Sequence, residues 1–499
     1  MIERTSACSR YRGFALGLMV FLISGLTAAG GQGTTAGVSP ASLVLGCSPL
    51  TAELAGAGGQ FMVLDPTKTY LLNTFTNKPV FVTGEQEFEL AINLASNSDI
   101  DLYLSTRRSQ GFNFIWMGAT DRAYVINYPN NALGDPPFTN MSAPFRGMNE
   151  AYFAHLDYVI QRAAAYGIEV LLNVAFVGSG PTYCFDSTGW CLELQAANDS
   201  DLTAFGAYLG KGYENYPNII WMLGGDLDLT DFPNLRGKMQ AILNGIESTD
   251  KNHMVTVENE PPHAASSQDL WPAHTWNRNF FYHGPASMAV DTNAAYARSD
   301  SLPIFLGEGK IDHEGASDLT VRTQNYQAVL GGSTLGFVYG SCVIWPFGFT
   351  PTNVGCQKPS GQTWQKLLTA TGSIASEHLG QLMRSREFWK MAPDINHTVV
   401  TGGYGSGDQI TVTSRTSDGQ TIIAYIPNGN ATTLTVDMTR ITSARHQATC
   451  WWFNPSSGAT SLIGSYANSG TKNFTPPDSN DWVLVIDDAS ANLPPPGSP

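Results

Sequence analysis

The feature that most constrains this chain is an alternation of apolar runs with amphipathic helices between about residues 79 and 386. Eight runs predict strands, and most are continuously apolar, as expected of parallel strands covered by helices. The predicted strands are Val80–Gly84, Phe112–Met117, Glu169–Val177, Asn218–Gly225, His253–Glu258, Asn279–His283, Pro303–Gly307 and Leu335–Tyr339. The clearest helices are Asp99–Ser109, Glu150–Tyr166, Asp201–Tyr213 and Leu235–Ile246. This order predicts an α/β fold, a (β/α)8 TIM barrel, with a doubly wound sheet as the alternative.

After residue 387 the pattern changes to short alternating strands separated by Gly, Ser, Asn and Asp. The clearest of these strands are Thr421–Ile426, Thr433–Val436, Ala448–Phe453 and Trp482–Asp487. Such a pattern predicts a small antiparallel β-sandwich domain over residues 387–490. We therefore expect the barrel over residues 61–386, and a disordered Pro-rich tail over residues 491–499.

The N-terminal residues 1–29 have the three parts of a secretory signal peptide. Arg4, Arg10 and Arg12 precede the apolar run Phe14–Leu26, and small residues follow it. A single membrane anchor is the alternative, but the run is shorter than the roughly 20 residues that a span prefers. Residues 30–60 are rich in Gly, Ala, Ser and Thr and predict an arm or linker. We expect a secreted, extracellular protein.

The charge balance excludes some partners. The 499 residues include 27 basic and 42 acidic side chains, for a formal net charge of −15. An acidic surface repels phosphate backbones and anionic membranes, so no nucleic-acid partner and no membrane partner after signal removal is predicted. No phosphate loop or dinucleotide fingerprint occurs between a strand and a helix, and no cofactor is predicted. The expected state is a monomer.

The cysteines predict three disulfide bonds. Seven are present, and Cys8 would leave with the signal peptide, so an even number remains in a compartment that permits disulfides. Sequence proximity pairs Cys184 with Cys191 and Cys342 with Cys356, which leaves Cys47 for Cys450. Free buried thiols are the alternative.

Two acids stand where a barrel carries its active site, at the carboxyl ends of the strands. Asp226 follows predicted strand four and Glu308 follows predicted strand seven, so the two face each other across the barrel. Glycoside hydrolysis needs such a pair: one protonated carboxyl donates to the leaving oxygen, and one ionised carboxylate attacks the anomeric carbon or activates water. Helix capping or structural ion pairing is the alternative. Since both acids lie on opposed strands, we predict that they are catalytic.

Other polar and aromatic side chains at strand ends are predicted to bind substrate. These are Glu85, Gln86, Trp116, Asn173, Glu258, His283 and Trp345. The indoles offer stacking faces for a sugar. His283 has no neighbour at ligand spacing, so no metal site is predicted. The triplet Asn259-Glu260-Pro261 is similar to the acid/base triplet of many barrel glycosidases, but it follows strand five here, which favours a loop role.

Several segments resemble the apiosidase-like glycoside hydrolases. The most specific stretch is Asn218–Asp226 (NIIWMLGGD), and Tyr70–Gly84, Gly111–Asn113 and Pro303–Glu308 are similar to further family motifs. Residues 386–487 are similar to the small β-domain, often called a collagen-binding domain, that accompanies these barrels. The resemblance implies a retaining, exo-acting glycosidase with Asp226 as acid/base and Glu308 as nucleophile. The activity named for the family is removal of apiose from side chains of a complex pectin.

The chain differs from the family in three segments that line the family's sugar pocket. Glu85–Phe88 stands where the family has Asp-Thr-Ala-Trp, Leu306 and Gly309 flank the strand-seven motif, and Glu258–His263 replaces a His-Pro-like loop. The sugar is therefore left open. Two further hypotheses are a non-catalytic carbohydrate- or matrix-binding protein with a degenerate barrel, and a secreted esterase or protease, for which no nucleophile stands in a suitable context.

Overall fold

The computed structural model describes residues 61–178, 184, 188–259, 285–298, 302–348, 355–429 and 432–498. The predicted signal peptide, the arm, Cys47, Glu260, His283 and the predicted strand Asn279–His283 lie outside the described residues. In the described part of the chain, no helix is both long and apolar enough to cross a membrane.

A three-stranded antiparallel sheet precedes the barrel. Its strands are β1 (Met62–Leu64), β2 (Leu71–Asn73) and β3 (Lys78–Val80), paired in that order. The N–H of Phe61 donates to the carbonyl of Pro217 at 2.7 Å, immediately before a barrel strand begins. This sheet therefore lies at the amino end of the barrel strands, opposite to the end where an active site is expected.

Seven parallel strands curl into one sheet, as predicted for a TIM barrel. They are β4 (Val82–Gln86), β5 (Phe114–Gly118), β6 (Glu169–Asn173), β7 (Ile219–Leu227), β8 (Val255–Asn259), β9 (Phe305–Leu306) and β10 (Gly336–Tyr339). Their order across the sheet is β8-β7-β6-β5-β4-β10-β9. Each overlaps its predicted run, because continuous apolar stretches mark strands that are covered on both faces.

Helices follow the barrel strands and cover the outside of the sheet. They are α1 (Leu90–Asn93), α2 (Asn97–Ser109), α3 (Glu150–Ala165), α4 (Cys191–Ala196), α5 (Asp199–Tyr213), α6 (Leu235–Thr249), α7 (Pro285–Tyr296), α8 (Asp318–Gly331), α9 (Trp364–Leu367) and α10 (Thr371–Arg384). Polar side chains fix several starts: Ser96 and Asn149 accept hydrogen bonds from backbone N–H groups in the first turns of α2 and α3. The α3 helix ends at Tyr166-Gly167, where Gly167 has a φ of +66°, as the sequence predicts.

The C-terminal domain is the predicted pair of antiparallel sheets. Its strands are β11 (Met391–Pro393), β12 (Val400–Gly402), β13 (Val412–Thr416), β14 (Thr421–Ile426), β15 (Leu434–Asp437), β16 (Gln447–Phe453), β17 (Thr460–Ala467), β18 (Thr471–Phe474) and β19 (Trp482–Asp488). Six of them form one sheet in the order β11-β13-β14-β19-β16-β17, and β12-β15-β18 form the other. One apolar cluster fills the space between the sheets, with Ile422, Ala424 and Leu484 from the larger one.

The larger sheet also packs its second face against the barrel. Tyr425 of β14 stacks on Tyr326 of α8 with ring centroids 4.6 Å apart. Arg322 of α8 forms a two-point ion pair with Asp481, at 2.7 and 2.9 Å. Because both partners are buried, each needs the other to avoid an uncompensated charge. The larger sheet is therefore buried on both faces, one against the smaller sheet and the other against the barrel.

The end of the chain departs from the expected disordered tail. Arg386, after α10, forms a buried two-point ion pair with Asp487 of β19 and donates a further hydrogen bond to the carbonyl of Pro494 at 3.0 Å. The N–H of Gly497 donates to the hydroxyl of Ser385 at 2.9 Å. Residues 491–498 thus lie against the junction of the two domains.

Two predicted disulfide bonds are present, Cys184–Cys191 and Cys342–Cys356. Both lie in segments that follow barrel strands, and Cys191 is the first residue of α4. Cys450 is buried in the core of the β-domain and forms no disulfide with a described residue. Its bond to Cys47 stays a prediction.

Candidate active site

Asp226 is presented by a bulge at the carboxyl end of β7. Gly224, Gly225 and Asp226 have φ values of +87°, +102° and +51°, and the pairing of β7 with β8 shifts register between Gly224 and Leu227. A Cβ on Gly225 would lie 2.3 Å from Cδ2 of Phe176, so this position requires glycine. The left-handed Asp226 costs roughly 1 kcal/mol of backbone energy. The bulge breaks the alternation of the strand and re-aims the Asp226 carboxyl.

Three carboxyl groups meet at the carboxyl ends of the strands. One carboxylate oxygen each from Asp226, Glu258 and Glu308 lies within 4.8 Å of the other two. Glu258 is the penultimate residue of β8 and pairs with Gly224, and Glu308 follows β9. The three residues are 8%, 1% and 7% exposed. The structure thus brings the two predicted catalytic acids together and adds Glu258 to them.

The protonation of this trio is shared. Burial raises the pKa of Glu308 well above its usual value, and the negative charges of Glu258 and Glu314 raise it further. Burial also raises the pKa of Glu314 to about 7. Like charges this close in a poorly solvated site do not all ionise together, so the trio retains at least one proton near neutral pH. Such a group can supply a proton and a negative charge at once.

A side chain of α8 braces the loop that carries Glu308. The amide of Gln324 accepts from the N–H of Lys310 and donates to its carbonyl, both at 2.8 Å. A Cβ on Gly309 would lie 2.7 Å from Nε2 of Gln324. The glycine that replaces the family's usual proline after Glu308 therefore has a packing reason.

Aromatic rings lie beside the strand ends. The ring centroid of Phe88 lies 4.6 Å from that of Trp116, edge-on, and 5.2 Å from that of Trp345, and the ring of Tyr124 lies 4.6 Å from Trp345. Trp116 and Trp345 are buried, and neither indole N–H has a hydrogen-bond partner among the described groups. Two buried donors in one aromatic cluster are therefore available to a ligand hydroxyl.

Two predicted binding residues, on β4 and β6, face the barrel interior. Gln86 is the register partner of Trp116, and its Oε1 has no described hydrogen-bond partner. Asn173 donates to the carbonyl of Gly224 at 3.3 Å and accepts from the N–H of Ala175 at 3.1 Å. Both ends of its amide are held by the backbone, so Asn173 supports the bulge that carries Asp226.

The position of Glu85 differs from the prediction that it binds substrate. Successive strand residues face opposite sides, and Gln86 takes the interior position. Glu85 instead faces the helices, where Arg107 of α2 binds both of its oxygens and the Tyr103 hydroxyl donates to it at 2.8 Å. All three side chains are buried. Glu85 is a structural ion pair and does not line the interior, so its predicted contact with substrate is wrong.

Phe88, Tyr124 and the acids Glu89 and Asp121 were not predicted as site residues. Phe88 occupies the place of the family's strand-one tryptophan, which was the available signal. Burial, together with the charge of Asp121, raises the pKa of Glu89 well above its usual value. Nothing in the spacing of Glu89 and Asp121 indicates this contact. His283 and Glu260 lie outside the described residues, so the structure does not place them.

Comparisons with known families cover nearly all of the described chain. Residues 66–390 match the family model described as "Apiosidase-like, catalytic domain", which is more than half of the chain. Residues 393–487 match the model described as "Putative collagen-binding domain of a collagenase". No curated protein matches the sequence.

Solved structures agree with the fold. A structure titled "Glycoside hydrolase" superposes with a TM-score of 0.73 at 22% identity, covering 88% of this chain and 99% of that one. A glycoside hydrolase family 5 structure from Bacteroides vulgatus also gives a TM-score of 0.73, at 20% identity, covering 88% of this chain and 94% of that one. At these identities the likeness establishes the architecture of barrel and β-domain.

Proposed function

This chain belongs to the apiosidase-like family and is a glycoside hydrolase, and from that premise we propose that it cleaves a glycosidic bond with retention of configuration. The observation that carries the proposal is the separation of the carboxyls, with oxygens of Asp226 and Glu308 within 4.8 Å. Retaining enzymes hold their two carboxyl groups about 5–5.5 Å apart, whereas inverting enzymes need about 6.5–9.5 Å to admit a water. The separation favours double displacement.

In the first step the Glu308 carboxylate attacks the anomeric carbon, and the bond to the leaving oxygen breaks. Asp226 donates its proton to that oxygen, so a neutral hydroxyl leaves. In the second step the Asp226 carboxylate takes a proton from water, and the water oxygen attacks the anomeric carbon. The bond to Glu308 then breaks, which restores both acids and releases the sugar.

The other site residues hold the sugar. We assign the indole N–H groups of Trp116 and Trp345 and the amide oxygen Oε1 of Gln86 to its hydroxyls, since these buried atoms lack described partners. Glu258, beside Glu308, accepts a sugar hydroxyl and adds negative charge next to the positive charge that develops on the ring. His283 remains a candidate substrate ligand from its sequence position alone.

The substrate we propose is a complex polysaccharide of the plant cell wall, a pectic side chain by preference, attacked from its end. The family name supports the polysaccharide class. The burial of the three carboxyls supports end-on action, because a chain terminus fits an enclosed site more readily than an internal unit does. Secretion is supported by the N-terminal sequence and two disulfide bonds.

The test is sugar release from a panel of plant and microbial polysaccharides, pectic side chains included, with products identified by chromatography and by NMR of the first-formed anomer. We expect one monosaccharide, released with retention by the wild type and absent with Glu308→Gln. Release of the inverted anomer contradicts the mechanism. Equal release by both proteins contradicts the assignment of Glu308. Binding of a polysaccharide without release favours a degenerate, carbohydrate-binding barrel.

A further inference from the structure

Three exposed apolar side chains lie in one loop at the rim of the barrel. Among the described residues, eight large apolar side chains are exposed. Three of them, Ile126, Tyr128 and Leu133, lie in the loop between β5 and α3, and Leu192 lies in the short helix α4 that follows β6. Both segments follow barrel strands at their carboxyl ends, on the side of the molecule that carries Asp226 and Glu308. Clustered exposed apolar groups mark binding surfaces.

The loop that carries these residues is held rigidly beside the aromatic cluster of the site. The side chain of Asn93 donates to the carbonyls of Tyr124 and Pro346 at 3.0 and 2.9 Å, and accepts from the N–H of Ile126 at 3.0 Å. One buried amide thus ties the start of this loop to the segment that carries Trp345. Tyr124 itself packs on Trp345. The loop that carries Ile126, Tyr128 and Leu133 is therefore joined to the aromatic cluster of the candidate site.

The ring of Tyr128 is fixed while much of it stays in solvent. The guanidinium of Arg122 lies 5.4 Å from the ring centroid, and Arg122 is itself ion-paired with Glu193. Trp190 approaches the same ring at 6.5 Å. Tyr128 nevertheless remains 42% exposed. A tyrosine has only two side-chain torsions to fix, so it loses little conformational entropy when it binds a ligand.

We propose that Ile126, Tyr128 and Leu133 form a platform for the polysaccharide on the leaving-group side of the scissile bond, a proposal that rests on the proposed end-on glycosidase. The released sugar occupies the enclosed pocket, so the remainder of the polymer leaves the pocket over the rim. The apolar face of a sugar ring packs on a tyrosine, while its hydroxyls remain in water. A stable protein interface buries about 800 Å² per partner. The surface of three partly exposed side chains is much smaller than that. A polysaccharide is therefore the occupant that the size favours.

The chain supplies a matched control. Phe75 is 43% exposed, as Tyr128 is, but it follows β2 at the opposite end of the barrel. Glu308→Gln is combined with Tyr128→Ala or with Phe75→Ala, so that the polymer is not cut during the measurement. Each protein is run through native gels that contain a solubilised pectic side-chain polysaccharide or glucomannan. The dissociation constant comes from the retardation at several polysaccharide concentrations.

We expect about tenfold weaker binding with Tyr128→Ala and no change with Phe75→Ala, in at least one gel. Equal retardation of all three proteins overturns the platform, and so does the absence of retardation in every gel. A loss of retardation that light scattering traces to a change of oligomeric state also overturns it, because the occupant is then a second copy of the chain. Sugar release by the wild type is read separately. Release without dependence on Tyr128 contradicts only the platform, and binding without release contradicts only the glycosidase.

Discussion

Two groups of buried acids stand at the carboxyl ends of the barrel strands, and they differ in what faces them. In the first group, Glu85 and Glu87 share a buried arginine, Arg107, with the hydroxyl of Tyr103. In the second group, Glu308 has Glu258 and Glu314 as the charged neighbours that shift its pKa. A buried acid that is ion-paired with an arginine has its charge neutralised, and its role is then structural. Acids that face one another share protons instead, which is the property that acid and nucleophile chemistry needs.

The first group also shows how many acids one arginine can neutralise. Glu85 takes both donor directions of the Arg107 fork. Burial raises the pKa of Glu87 well above its usual value, and the charge of Glu85 adds to this, against a smaller lowering by Arg107. One cation therefore holds one carboxylate, and the second acid stays protonated. In the trio of Asp226, Glu258 and Glu308, the charged groups that shift the pKa of Glu308 are acids, so a proton takes the place of the arginine.

The largest expected effect separates the two groups by activity. Glu308→Gln removes the proposed nucleophile, and we expect kcat to fall by about five orders of magnitude. The melting temperature should stay the same or rise, because a buried acid beside other acids is replaced by a neutral isostere. Steady-state kinetics and thermal unfolding by circular dichroism measure both. A drop in stability with modest loss of turnover would place Glu308 with the structural acids.

The second prediction tests which member of the trio supplies the proton. Asp226→Asn should slow poor leaving groups by about 10³, since these depart only when protonated, and should spare activated aryl leaving groups. The measurement is a series of aryl glycosides of the released sugar with leaving groups of different pKa. A uniform loss along the series would remove Asp226 from the acid role and point to Glu258.

The third prediction breaks the first group. Arg107→Met leaves Glu85 buried without its counter-charge, and we expect the free energy of unfolding to fall by about 3–5 kcal/mol. Adding Glu85→Gln should recover part of that loss, because the uncompensated charge is then gone. Denaturant unfolding of the single and double variants measures the coupling. A loss below about 1 kcal/mol would mean that Arg107 does not hold the group together.

The smallest expected effect concerns pH. The folded pKa of Glu314 is about 7, above its usual value of 4.5, so the folded state keeps a proton that the unfolded state releases. Its stabilising contribution is complete below pH about 4.5 and is lost as the pH rises towards 7. Glu314→Gln should therefore make the fall in melting temperature between pH 4.5 and 7 shallower. An identical pH profile for both proteins would contradict the raised pKa.

The fold was largely predictable because most barrel strands are apolar on both faces and helices separate the strands. The Asp226 bulge also has a sequence signal, since two consecutive glycines before an acid at a strand end allow three positive φ angles in a row. Both features are local. They require no knowledge of which distant segments meet.

The errors arose where a side chain's face or a distant contact decides its role. Glu85 and Gln86 are adjacent and both polar, and only the phase of β4 sends one to Arg107 and the other to the interior. The ion pair of Arg322 with Asp481 joins positions 159 residues apart and has no motif at either end. The contacts of residues 491–498 were not predicted for the same reason. A Pro-rich composition does not indicate that Arg386 donates a hydrogen bond to the carbonyl of Pro494.

The larger β-sheet packs against the smaller sheet with one face and against the barrel with the other. This arrangement limits where the gene can be divided into parts that fold. A fragment that ends at residue 390 would expose Tyr326 and leave Arg322 without Asp481. The opposite fragment would begin without Arg386 and leave Asp487 uncompensated. We therefore expect each domain, when it is produced without the other, to be less soluble than the intact chain. We therefore expect the barrel and the β-domain to be inherited together, because the β-domain is a structural part of the enzyme and cannot be exchanged freely.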